Sequence, residues 1–402
     1  VHDNTETGIA SQAGNRFNSV PFAVDDLPEL TESAPSRLLT STQAVMLPIL
    51  INGRISRPGE GHVFQFQGRA GQKIVAEVFA RRLDSPLDSF LRLTRPDGKQ
   101  LAFNDDFEDK GSGLNTHHAD SYLRATLPAD GTYSIHLTDT QGKGGPQFAY
   151  RLRLSEPRPD FALRLVPSSL SLRAAMSGPV TVFALRRDGF TNAIDLALKD
   201  APEGFSISGA RIAEGQDKAR FTIQAPARAA GAPAAVSIEG RALIGGEWVS
   251  HPAVPAEDLM QAFIYRHLVS SAELAVLVAG PDRPFLRDAF RILGETRVRI
   301  PRGGKASVRI TAPGAFSERF KLELSSAPAG ISLASVSPVP GGLEMVFACD
   351  AAKVKPGAGG NLICAILPNK PAGAGSSKKA ASAPPRGAEA TLPAIPFKIE
   401  AE

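Results

Sequence analysis

The sequence predicts an all-β chain of tandem β-sandwiches, on three observations. Apolar and polar residues alternate in many runs of about five to eight residues, the period of a half-buried strand. Glycine (37) and proline (32) punctuate these runs along all 402 residues, and both residues interrupt helices. Hydrophobic residues make up 43% of the chain, enough for a core in each of several domains of ordinary size.

The elements follow in chain order. Residues 1–44 read as a lead-in, with a short strand in "VPFAV" at 20–24 and a linker in "DLPELTESAPS". The chain begins at Val1 without a starting Met, so a processed or truncated product is expected. Residues 45–156 form the first sandwich, of jelly-roll type. Within it, "HVFQFQ" offers Phe64 and Phe66 to the core, and "KIVAEVFA" places Ile74, Ala76, Val78 and Ala80 on one face. In "SFLRLTRPDGKQLAF", Pro96-Asp97-Gly98 separates two apolar runs and predicts a hairpin. "SYLRATLPADGTYSIHLTD" repeats that pattern around Asp130-Gly131, and "FAYRLRLS" closes the block.

Residues 157–256 have an immunoglobulin-like or fibronectin-like strand rhythm without the Cys–Trp–Cys spacing of a true immunoglobulin domain. Trp248, near its end, is expected in a core or interface rather than as a ligand platform. The third block, 257–402, is another sandwich of this kind. At its start the sequence leaves two readings open. Pro255, Glu257 and Asp258 suit the first turn of a short helix, whereas Met260, Ala262 and Ile264 alternate as a strand would. Residues 369–389 carry no periodicity and read as a flexible insert before the returning strand "IPFKIE".

A formal charge of +4 is small for this length. The arginines of "YRLRL" and "TRVRI" alternate with apolar residues and are expected on wet sheet faces, so no nucleic-acid partner is expected. No apolar run is long enough for a transmembrane helix. Cys349 and Cys364 either form one bridge or lie apart as core thiols; their spacing matches no metal motif.

Nucleophilic catalysis needs a nucleophile, a base and a group that orients the base. Seven histidines occur, at 2, 62, 117, 118, 136, 251 and 267. None falls in H-E-x-x-H, and neither a G-x-S-x-G elbow nor a phosphate-binding glycine loop is present. The chain is therefore expected not to be an enzyme. The richest polar stretch is "FNDDFEDKGSGLNTHHADS", where Asn104, Asp105, Asp106, Glu108, Asp109 and Asp120 crowd oxygen-bearing side chains together, with Asp84 and Asp88 just upstream. Crowded carboxylates repel unless a hard cation neutralises them, and calcium takes six to eight such oxygens. Asp88, Asn104, Asp105 and Asp106 are the expected ligands, because the Pro96-Asp97-Gly98 hairpin should fold Asp88 back beside Asn104. Glu108, Asp109 and Asp120 form a second group. A solvated acidic loop, aspartates capping their own turns, or a transition metal on His117 or His118 are the alternatives.

Residues about 45–155 resemble a bacterial pre-peptidase C-terminal domain. The resemblance rests on "INGRISRPGEGHVFQFQGRAGQKIVAEV", "SPLDSFLRLTRPDGKQLAFNDD" and "SYLRATLPADGTYSIHLTD". The downstream blocks resemble the immunoglobulin-like parts of exported planctomycete-type proteins. The family implies a jelly-roll-like sandwich that accompanies secreted peptidases without being one, similar to the calcium-dependent collagen-binding domains of collagenases. It also implies calcium ligands in the acidic loop, matched by Asp88, Asn104, Asp105 and Asp106, and in an acidic lead-in, where Glu32 matches and its expected neighbours do not. The function expected is a non-catalytic, exported binding or spacer module, extracellular, on the cell surface or periplasmic, acting on a polysaccharide, a protein or the envelope. The accessory region of a secreted hydrolase and a purely structural envelope protein are the alternatives.

Overall fold

In the computed structural model the described residues are 5–8, 11–12, 15–16, 20–32, 40–107, 120–260, 266–280, 290–294, 297–314, 316–369 and 390–400. The protein is all-β. Among the described residues the one α-helix is the four-residue Phe316–Arg319. The chain divides into two compact units. Unit 1 comprises Val1–Phe161, Arg186–Phe190 and Gln261–His267; unit 2 comprises Ala162–Leu185, Thr191–Met260 and Leu268–Glu402.

Ten strands build the sandwich of unit 1. They are β1 (Glu29–Thr31), β2 (Thr40–Ala44), β3 (Ile49–Arg54), β4 (Gly61–Gly68) and β5 (Lys73–Phe79). Then come β6 (Ser89–Thr94), β7 (Gln100–Asn104), β8 (Tyr122–Thr126), β9 (Gly131–Asp139) and β10 (Ala149–Ser155). One sheet runs β7-β6-β9-β4-β2 and the other β8-β5-β10-β3-β1. Alternation decides what each sheet turns inward. Phe64, Phe66, Leu91, Leu93, Tyr133, Ile135 and Leu137 meet Ile51, Ile74, Ala76, Val78, Leu123, Leu152 and Leu154 in one core. The expected core residues Phe64, Phe66, Ile74, Ala76, Val78 and Ala80 are all buried.

The hairpin at Pro96-Asp97-Gly98 forms as expected. Gly98 takes φ 79°, a left-handed value that favours glycine, and β6 and β7 pair antiparallel. The second turn departs from expectation. β8 pairs with β5 in one sheet, while β9 pairs with β6 and β4 in the other. Asp130-Gly131 therefore carries the chain across the sandwich. Tyr133 secures this corner. Its ring stacks on Phe66 at 5.9 Å; its buried hydroxyl donates to the Ala129 carbonyl at 2.7 Å and accepts from the Ala129 amide at 3.3 Å. Tyr133→Phe keeps the packing and removes both bonds, so unit 1 should lose about 0.5–1.5 kcal/mol in urea unfolding.

The lead-in is more structured than expected. Val20–Ala23 is a strand, but the "linker" also contributes β1, which pairs in parallel with β3. β2 pairs in parallel with β4. The lead-in thus covers one edge of each sheet.

In unit 2, Ile194–Lys199, Ser237–Ile244 and Glu247–Met260 run antiparallel, and Leu163–Leu165 pairs in parallel with Ala253–Pro255. Glu247–Met260 is a strand, so Pro255, Glu257 and Asp258 start no helix; residues 261–265, with Ala262 and Ile264 of the alternating reading, lie outside the described residues. A four-stranded sheet (Ile292–Leu293, Lys305–Thr311, Gly342–Cys349, Ile331–Val339) and a three-stranded one (Val298–Pro301, Ile395–Glu400, Gly359–Leu362) share a core around Ile300, Phe347, Leu362 and Ile399. Cys349 and Cys364 sit in it as free, buried thiols. Burial pushes the Cys364 thiol up to about 12. Of the expected insert 369–389, residues 370–389 lie outside the described residues.

Candidate functional site

Three places in unit 1 bear on function. The first is the outer face of the β7-β6-β9-β4-β2 sheet. Leu91 and Leu93 point inward, so Phe90, Arg92 and Thr94 point out. The register sets Arg92 opposite Phe103 on β7 and opposite His136 on β9. Phe103 is 57% exposed, and its ring lies 6.0 Å from that of Phe90. Beside them His136 Nε2 is 3.2 Å from Thr94 Oγ1, and Nδ1 is 3.5 Å from Arg92 Nη2. Burial, then the Arg92 charge, holds the His136 pKa below its usual value. An arginine beside Nδ1 disfavours an imidazolium there. The face presents two aromatic rings and a guanidinium on a rigid sheet.

The second place is the acidic loop. The register puts Leu91, not Asp88, opposite Asn104, with an irregularity at Leu93/Thr94. The symmetric fold-back about Pro96-Asp97 expected from the sequence is thus displaced by three residues. Asp88 lies instead beside the end of β9, where its carboxylate accepts from Thr140 Oγ1 at 3.0 Å and Gln141 Nε2 at 3.4 Å. Asn104 Oδ1 accepts from the Tyr122 amide at 2.7 Å, and Nδ2 donates to the Asp106 carbonyl at 2.8 Å. Asp105 Oδ1 accepts from the Asp106 amide. Asp120 is 1% exposed; it accepts from the amides of Ala80, Arg81 and Arg82 and from Arg82 Nε at 2.8 Å, clamping the turn after β5. Glu108, Asp109, His117 and His118 lie outside the described residues. Among the described residues no three His, Cys, Asp or Glu side chains gather where one ion could be held. A calcium-dependent rise in melting temperature that Asp105→Ala with Asp106→Ala removes would locate an ion in this loop, at the ~10⁻⁴–10⁻³ M affinities of extracellular modules.

The third place was not foreseen. The arginines of "YRLRL", expected on a wet face, are buried: Arg151 is 9% exposed and Arg153 7%. Arg153 donates to Glu77 Oε2 at 2.7 Å and to both oxygens of Asp188 at 2.8 and 3.0 Å. Arg82 also pairs with Glu77, at 3.0 Å. Asp188 further accepts from Tyr122 Oη at 2.9 Å and from the amide of Arg158. Burial alone would raise the Glu77 pKa; the charges of Arg82, Arg153 and Arg187 override it and hold the carboxyl at about 2. Burial, then Asp188, pushes the Tyr122 phenol above its usual value. The one available signal was Glu77 itself, a charge inside "KIVAEVFA". His62 was missed likewise. It is 3% exposed, with Nδ1 2.7 Å from Tyr150 Oη and 3.0 Å from Glu32 Oε2.

In unit 2, Trp248 is 60% exposed and so is no core residue. It stands opposite Leu243 at the end of a hairpin closed by Gly245-Gly246, with Arg241 4.9 Å from its ring.

No protein-family profile matches the chain. A probable subtilase-type serine protease of Deinococcus radiodurans is 40% identical over 83 residues. The match covers 20% of this chain and 10% of that protein, so the chain spans about a tenth of its relative's length. Among solved structures, the pre-peptidase C-terminal domain of a collagenase from Bacillus anthracis aligns at 12% identity over 31% of this chain and 100% of that one, with a TM-score of 0.23. The tandem Ig repeats of Dlar align at 11% identity over 61% and 97%, with a TM-score of 0.20. In the described residues no helix is long and apolar enough to cross a membrane.

Proposed function

We propose that the chain is a non-catalytic accessory region of an exported protein, and that unit 1 binds an extracellular polymer, a polysaccharide or a protein, on the outer face of its β7-β6-β9-β4-β2 sheet. Exposed Phe103 beside Phe90 and Arg92 is the observation that carries this reading. Exposed aromatic rings on a rigid surface supply contact area at low entropic cost, and arginine adds directed hydrogen bonds. The segment shared with a probable subtilase-type protease supports an accessory role beside a secreted hydrolase.

Cosedimentation of the full chain with insoluble chitin, cellulose, peptidoglycan and collagen fibrils tests the reading. The parent should be retained on one of them, and Phe90→Ala with Phe103→Ala should weaken retention at least about tenfold, as loss of a central aromatic contact does. Phe103 is exposed, so the fold should persist, which circular dichroism checks. Equal retention of parent and variant would remove the face from the site. No retention on any polymer would leave a spacer.

A further inference from the structure

The segment 25–32, "DDLPELTE", carries four carboxylates, and each meets a cation or proton donor of the sandwich. Asp25 and Asp26 accept from the two terminal nitrogens of Arg158, at 3.0 and 2.7 Å. Glu29 accepts from Arg151 Nη2 at 2.7 Å and from Asn52 Nδ2 at 3.0 Å. Glu32 meets Tyr150 Oη at 3.3 Å and His62 Nδ1 at 3.0 Å. The backbone holds less. β1 is three residues long, and two further bonds flank it, Leu50 amide to Pro28 carbonyl and Glu32 amide to Asn52 carbonyl, each 2.8 Å. Leu30 is the one apolar side chain of β1, and it is only partly buried against the core.

A strand held mainly by apolar burial is indifferent to salt. One held by charge is not, provided the charges reach solvent. Two of the four do: the Glu29 side chain is 47% exposed and that of Asp26 73%, whereas those of Asp25 and Glu32 are each 14% exposed. The Asp26 and Glu29 carboxyls are held below their usual pKa, Asp26 by the Arg158 hydrogen bond and Glu29 by that of Arg151.

We infer that residues 25–32 are a detachable strap, keyed in place by Arg158, Arg151 and the Tyr150–His62 pair, whose release uncovers the edge of β3. The strap is a local opening unit, separate from global unfolding of the sandwich.

Hydrogen exchange of the full chain tests this at two amides, Leu50 and Glu32, which donate to Pro28 and Asn52. Raising sodium chloride from ~0.05 M to ~1 M shortens the screening length to about 3 Å, and should speed exchange at both at least about tenfold. The amides of Val78 and Leu152, deep in the same sheet, should not change. Arg151→Ala with Arg158→Ala should reproduce the fast exchange at low salt and abolish the salt response. Salt-independent exchange of Leu50 and Glu32 in the unmodified chain would overturn the inference. So would a salt response shared equally by Val78 and Leu152, since that would be global loosening.

Discussion

Replacing Asp188 with alanine lowers the stability of unit 1 by about 3–5 kcal/mol. The Asp188 side chain is 1% exposed and takes two hydrogen bonds from Arg153, itself 8% exposed in its side chain. Without it, the charge of Arg153 is left to Glu77, which Arg82 also pairs with. A buried guanidinium stripped of a partner keeps its desolvation cost and loses the attraction that offset it, which is why breaking a buried pair costs far more than an exposed one. Tyr122 Oη and the Arg158 amide lose their acceptor as well. Asp188→Asn should cost less, because it keeps acceptor oxygen while removing charge. Two units make a single melting curve ambiguous, so the measurement is urea-dependent exchange of the β5 amides. A loss under about 1 kcal/mol would show that the pair is not holding unit 1 together.

Acidification acts on the same cluster from the other side. Glu77 titrates at about 2 when folded, against an ordinary 4.5. Its folded pKa is depressed, so its contribution is fully present above about pH 4.5 and disappears as pH falls toward 2. A difference of this size is worth roughly 3 kcal/mol. Unit 1 should therefore weaken through that window, and Glu77→Gln should be less stable at neutral pH but with a flatter acid limb. A parent and variant with parallel acid limbs would show that other carboxyls set the acid transition.

Much of the fold was legible because it follows from local rules. Alternation in "KIVAEVFA" named the inward face of β5 correctly, and Pro96-Asp97-Gly98 named its hairpin. The Asp130-Gly131 turn shows the limit. Turn chemistry says that the chain reverses there; it does not say whether the reversal stays within a sheet or crosses the sandwich. The site was less legible. Arg153 sits in an alternating strand and reads as a wet residue, because its partners Glu77 and Asp188 are 76 and 35 residues away. Arg151 meets Glu29 from 122 residues away. Distant carboxylates decide the burial of such side chains, and no local pattern contains them. The pairing expected for Asp88 is displaced for a smaller reason: three residues of register separate it from the position opposite Asn104. Phe103 was placed correctly on a strand, but its exposure depends on which sheet face lies outward.

The chain has two cysteines, both in unit 2 and both shut inside its core. With its thiol pushed to about 12, Cys364 presents almost no thiolate at neutral pH, and the thiolate is the species that reacts. A thiol-alkylating probe should therefore find nothing to modify in the native protein. Modification in partial denaturant then dates the opening of unit 2 alone, while unit 1 stays silent whatever its state. The sequence carries its own chemical clock for one half of the molecule, needing no engineered label.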